Sequence, residues 1–323
     1  MLDVSAENFP WRRGATRETI TLHSVLHTLA YADVFDYPLT APEVYRYLTS
    51  PAATFEEVTS ALSDKSRFSQ VGEFFTLTGR EEIVETRKRR AEVARRLWPK
   101  AARYGRVIAQ LPFVRMVAIT GSLAMNNTDE GKDVDYMIVT APNHLWTCRA
   151  LALLVARIAR LEDVTLCPNY LITTNALQLE ERSLYVAHEL AQMIPLAGLE
   201  IYGEICSLNH WIYDYLPHAF DAPDSPSALQ EPAQRSAIQK GLEFILSLPF
   251  GAWLEKWEMN RKIKRLSREQ AHSVESYFSA DVCKGHIDKH GESVVTALSV
   301  RLKNASTPAL VDSTREVAAT KTI

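Results

Sequence analysis

Cysteine is scarce in this chain: Cys148, Cys167, Cys206 and Cys283 stand far apart with no C-x-x-C pair. That spacing indicates neither a disulfide framework nor a cysteine zinc site, so each is read as a buried or half-buried thiol. Long apolar runs are missing too, and nothing approaches the ~20 residues that span a bilayer. The first residues, Met1 to Glu7, form neither a positive nor an apolar targeting stretch. A cytoplasmic protein with no membrane partner is therefore expected. Excess positive charge is also absent, the formal net charge being −3. This argues against a surface built throughout to hold nucleic acid, while leaving room for a local basic face.

What is present is enough apolar material, 46% of 323 residues, to build two or three separate cores. Residues 20–48 show helical apolar spacing (Ile20, Val25, Leu29, then Val44, Leu48) interrupted at Asp36-Tyr37-Pro38-Leu39-Thr40. Thr40 with Glu43, and Thr54 with Glu57, have the capping-box spacing, which predicts helices beginning after each threonine, the second over 55–63. The β-prone runs around Gly72, from Phe68 to Leu77, predict a hairpin. Three helices and a hairpin over 1–80 resemble a winged-helix domain. Such a domain would either bind DNA or serve as a packing module. The second reading is preferred, because the expected recognition helix carries Glu56 and Glu57, which repel phosphate.

A linking helix over 81–111 is rich in arginine and lysine from Arg87 to Arg106, arranged around Val84, Ala94, Ala101 and Ile108. Most of these charges are read as snorkelling into solvent around an apolar stripe. A core follows over 112–178, with strands expected at 114–119, 133–140 and 164–173 and a helix at 145–161. Helical segments at 180–217, 235–265 and 291–303 make up a helical C-terminal region, 179–303, separated from one another by a proline-rich break at 221–226. The tail, 304–323, is expected to fray. The fold class is α+β.

Gly121-Ser122 ends the first core strand, and after a ten-residue spacer Asp133-Val134-Asp135 opens the second. Side chains alternate along a strand, so Asp133 and Asp135 share one face. Two adjacent carboxylates call for a proton or a cation, and oxygen ligands select a hard ion such as Mg²⁺. The glycine lets backbone approach a phosphate, Ser122 adds a hydroxyl donor, and Lys132 adds charge.

Thr120-Gly121-Ser122 followed by Asp133-Val134-Asp135-Tyr136 resembles the signature of the DNA polymerase β-type nucleotidyltransferase superfamily. The likeness covers residues 112–175. It implies a mixed sheet with flanking helices, and an NTP whose β- and γ-phosphates lie at the Gly121-Ser122 turn. It also implies Mg²⁺ (or Mn²⁺) at Asp133 and Asp135, with transfer of NMP to an acceptor as pyrophosphate leaves. Family members commonly place a third carboxylate on the next strand. Here that strand, Val164 to Ile172, has no acid, and Asn169 stands near its middle. Asn169 is the stand-in metal ligand, although an amide cannot serve as a base. Either the acceptor is already ionised, or another acid enters from the C-terminal helices, or activity is reduced or absent.

His188-Glu189 lacks the second histidine of a zinc-protease helix, position 192 being Gln192. Tyr185, His188 and Glu189 share a helix face and would bound the base or acceptor pocket; the other reading is a helix with its polar side outward. Cys283, His286 and His290 have zinc-like spacing but lack a fourth ligand, so a loop-to-helix boundary is preferred. The expected activity is NMP transfer from an NTP to a small-molecule or protein acceptor, with nucleic acid less favoured. The alternative is a nucleotide-sensing or DNA-binding regulator without catalysis.

Overall fold

The computed structural model describes residues 16–131, 133–220, 236–269, 277–284 and 290–306. Threonines open the first three helices. Thr16 accepts from the Thr19 amide ahead of α1 (Arg17–Asp33). After β1 (Leu39–Thr40), Thr40 and Glu43 close the predicted capping box of α2 (Ala41–Arg46), and Thr54 and Glu57 that of α3 (Phe55–Leu62). Each box satisfies two amides that the first helical turn leaves without partners. The hairpin forms as β2 (Phe68–Val71) and β3 (Phe74–Leu77), and β1 joins it in an antiparallel sheet of order β1-β3-β2. Val25, Leu29, Val44, Leu48, Val58, Leu62 and Phe68 are buried together beneath it.

The linking helix α4 (Ile83–Ala109) carries its basic residues largely in ion pairs. Arg87 reaches Glu43 at 2.7 Å, Arg90 reaches Asp129 at 3.0 Å, and Arg96 reaches Glu130 at 2.6 Å, while Arg103 pairs with Glu162. Ala94, Ala101, Tyr104 and Ile108 face the core, as the apolar stripe required.

The central sheet is mixed. It contains β4 (Val114–Thr120), which leads through α5 (Gly121–Ala124) to β5 (Val134–Thr140). Next come α6 (Leu145–Ala159), β6 (Leu166–Thr173) and α7 (Leu184–Gln192). The region expected to be helical over 180–217 is broken after α7 by β7 (Ile194–Ala197), before α8 (Leu199–Leu208) and α9 (Ile212–Tyr215). Helices α10 (Ala237–Leu246) and α11 (Pro249–Glu269) precede two short strands, β8 (Tyr277–Phe278) and β9 (Val282–Lys284), and α12 (His290–Ser306) comes last.

The strand order is β7-β4-β5-β6-β9-β8, with β5 and β6 parallel and all other neighbours antiparallel. The C-terminal region is thus not purely helical, because it supplies three of the six strands. Strand β7 carries Pro195 and pairs only with β4, an edge position that tolerates a residue without an N–H. Residues 304–306, expected to fray, continue α12; positions 307–323 and the break at 221–226 lie outside the described residues.

Alternation along the strands divides the core into two. Met116, Ala118, Met137, Val139 and Ile172 face the N-terminal helices, α7, α8, α9 and α12. Val117, Ile119, Tyr136, Ile138 and Leu171 face α4 and α6. Among the described residues, no helix is long and apolar enough to cross a membrane.

Candidate active site

The two halves of the Gly-Ser and Asp-x-Asp pattern meet through strand pairing. In the β4–β5 ladder Thr120 stands opposite Asp135, so the chain turns at Gly121 directly over that carboxylate. Gly121 has φ +66°, and a Cβ there would lie 2.8 Å from Asp135 Oδ2. Both the backbone angle and the lack of space therefore require glycine. Ser122 follows in α5, half-buried, and its carbonyl accepts from the Asn127 amide at 2.8 Å.

Asp135 lies within β5 and is half-buried, whereas Asp133 is exposed and precedes the strand by one residue. The expectation of both acids inside the strand is corrected to this extent. The register is fixed immediately after Asp133, where the Val134 amide donates to the Thr165 carbonyl at 2.8 Å. Lys132 lies outside the described residues.

The β5–β6 pairing places Cys167 opposite Asp135. Burial pushes the Cys167 thiol up to about 12, helped by the charges of Asp135 and Asp133 and a hydrogen bond to Asp135, with Arg149 opposing. The thiol is thus a protonated neighbour of the acid. Asn169 falls at the register shift between the pairs Tyr136–Pro168 and Met137–Tyr170. Its side chain is outside the described residues.

A carboxylate does approach from the C-terminal helices. Glu189 of α7 is half-buried. Burial raises its pKa to about 7, the charge of Asp135 adds to the rise, and Lys284 and a hydrogen bond from Tyr185 oppose it. Lys284, in register with Tyr170 at the β6 edge, also pairs with Glu181. Sequence reasoning placed Glu189 in a pocket wall but not beside Asp135. It also missed Cys167, whose place follows from strand register, and Arg149, which α6 brings near that thiol.

The other candidates part company. Tyr185 stays with Glu189, but His188 does not line the site. His188 is 4% exposed and stacks on Tyr31 of α1 with ring centroids 4.0 Å apart. Burial and the neighbouring His27 depress its pKa to about 3. It is therefore a neutral core residue joining α7 to the N-terminal helices, and its assignment to a base or acceptor pocket is corrected. Cys283 is a buried strand residue of β9, and His286 lies outside the described residues. Among the described residues no group of three or more His, Cys, Asp or Glu side chains is disposed to hold a metal ion.

No known protein family's sequence profile matches the chain, and neither the curated proteins nor the solved structures give a significant match.

Proposed function

We propose that the chain is a nucleotidyltransferase that moves a nucleoside monophosphate from an NTP to a small-molecule or protein acceptor. The observation carrying this reading is the pairing of Thr120 with Asp135, which brings the Gly121 turn against one carboxylate, with Asp133 two residues before it. Two carboxylates and phosphate oxygens are a usual ligand set for Mg²⁺ or Mn²⁺, which retains open positions for substrate. Asp133 and Asp135 would hold the ion, which when bound offsets phosphate charge and polarises the P–O bonds.

The remaining roles fall to the chain's own groups. The backbone N–H groups after Gly121, the Ser122 hydroxyl and the Lys132 ammonium would bind the β- and γ-phosphates. The Cys167 thiol, opposite Asp135 in the ladder, would hold that carboxylate in place. Glu189, with a pKa near 7 and Asp135 as neighbour, answers the need for an acid that β6 lacks. It would take the proton of an acceptor hydroxyl as that oxygen forms its bond to the α-phosphorus. The bond from the α-phosphorus to the pyrophosphate oxygen breaks on the opposite side.

Pyrophosphate release, measured with each labelled NTP and Mg²⁺ or Mn²⁺, tests the reading, with Asp133→Asn/Asp135→Asn as the inactive control. Release that persists in the double variant refutes it. The regulator alternative gains no specific support, since α3 presents Glu56 and Glu57 and the α4 arginines are largely ion-paired. Salt-dependent DNA binding without turnover would nevertheless replace the enzyme reading.

A further inference from the structure

Helices α10 and α11 are packed with their polarity reversed. A surface helix ordinarily turns its apolar stripe inward. Here the inward contacts are mainly polar. Gln239 donates to the carbonyls of Ala109 and Leu111 at 3.2 and 2.9 Å. Glu243 accepts from the Phe113 amide and from Arg115 at 2.8 and 2.7 Å. Glu255, 6% exposed, accepts the Trp146 and Thr147 amides at the start of α6, at 2.9 and 2.7 Å. Of the apolar residues on these helices, Leu246, Met259 and Ile263 pack partly buried against the core.

The outward side is apolar. Ile238 is 76% exposed, Phe244 72%, Phe250 64% and Trp253 58%, with Ile245 and Trp257 close behind. Phe250, Trp253 and Trp257 recur at helical spacing and stack in sequence, with centroids 5.9 and 6.2 Å apart. This ladder holds the rings outward without help from a partner, so little rotamer freedom remains to be lost on docking. Such an area of exposed aromatic and aliphatic surface marks an interaction site.

Charge identifies the partner. Exposed cations, Lys240, Lys256 and Lys264, flank the apolar side, and Arg261 lies over the Trp257 ring at 4.9 Å. The acids of these helices whose side chains are described, Glu243, Glu255 and Glu258, all turn inward or are buried. Tryptophan and phenylalanine on one side of a helix, bordered by lysine and arginine, suit the headgroup region of an anionic bilayer. A twofold contact with a second copy would instead bring the same cations face to face. We infer that α10 and α11 form an interfacial surface that seats the protein on anionic lipid. The sequence has no apolar run of the ~20 residues a membrane-crossing helix needs, whereas lying on a bilayer requires none.

Co-sedimentation of the full chain with phosphatidylcholine vesicles, with and without phosphatidylglycerol, tests this inference, with sedimentation equilibrium to follow self-association. The expected result is binding that needs phosphatidylglycerol and weakens with salt. Phe250→Ser/Trp253→Ser/Trp257→Ser should abolish it, and Lys256→Gln/Lys264→Gln should weaken it about fivefold for each cation removed. Unchanged circular dichroism in both variants keeps folding out of the comparison. The inference is overturned if the native chain ignores phosphatidylglycerol vesicles, if the aromatic variant binds them equally well, or if these residues instead drive a stable dimer with no lipid binding.

Discussion

Helices α7 and α11 lie on opposite sides of the same sheet and solve the docking problem in opposite ways. Helix α7 buries Leu184, Val186, Ala187 and Leu190 in the core shared with the N-terminal helices, and its half-buried Glu189 meets the charge of Asp135. Helix α11 enters the structure through a buried carboxylate, Glu255, at the positive end of α6, and leaves its tryptophans in solvent. The lesson is that amphipathic spacing fixes how wide a helix's apolar side is, but not which way it faces. Hydrogen-bond demand at the docking point decides the direction, because an amide pair left unpaired costs more than an exposed ring.

The comparison breaks most sharply at the carboxylates. Asp135→Asn should lower NTP-dependent pyrophosphate release by roughly 10²–10³-fold, by analogy with the loss of a charge-stabilising group, while the urea midpoint moves little. Next in size is Glu255→Ala, which strands two buried amides and removes a charge from the α6 N-terminus. A loss of about 2–4 kcal/mol in urea unfolding is expected, with no matching effect on turnover per folded molecule.

A smaller effect follows from pH. His188 and His27 are depressed to about 3 and about 4 by burial, below the unfolded value of ~6.5. The unfolded chain therefore binds protons first as pH falls. Their contribution to stability is fully present above ~6.5 and is progressively lost below it, until the folded values are reached. Between pH 7 and pH 5 this amounts to about 2 kcal/mol for each histidine. His188→Leu should flatten that part of the stability profile measured by denaturant titration. The smallest expected change is for Trp253→Ser, within ~0.5 kcal/mol of the native chain. A loss near that of Glu255→Ala would show that the outward rings are structural after all and remove the contrast with α7.

Much of the fold could be read locally. Both capping boxes, the β2–β3 hairpin, α4 and the strands around the acid pair depend on neighbours within a few residues, and each forms within a residue or two of its expected bounds, Asp133 falling just outside β5. Strands β7, β8 and β9 escaped notice because two to four residues carry too little periodicity, and Pro195 reads as a break until an edge position explains it. The candidate site was legible as the pattern Gly121, Ser122, Asp133 and Asp135, while its assembly rests on the pairing of β4 with β5 that sets Thr120 opposite Asp135. Cys167, and the relation of Glu189 to Asp135, became visible only with the β5–β6 register and the packing of α7, contacts set by tertiary structure. His188 misled because its helix face is shared by residues with opposite destinations, one toward Asp135 and one toward Tyr31.

The short strands β8 and β9 also have a practical consequence. By pairing with β6, β9 covers the outer row of backbone groups on the strand that adjoins the acid-bearing β5. A shortened chain ending near residue 220 would keep both aspartates, Gly121 and α7, yet leave that row open to any passing strand. It would be expected to come out of solution by edge-to-edge association. A minimal soluble version of the acid-bearing sheet must therefore retain residues 277–284, more than a hundred positions beyond the β6 strand they protect.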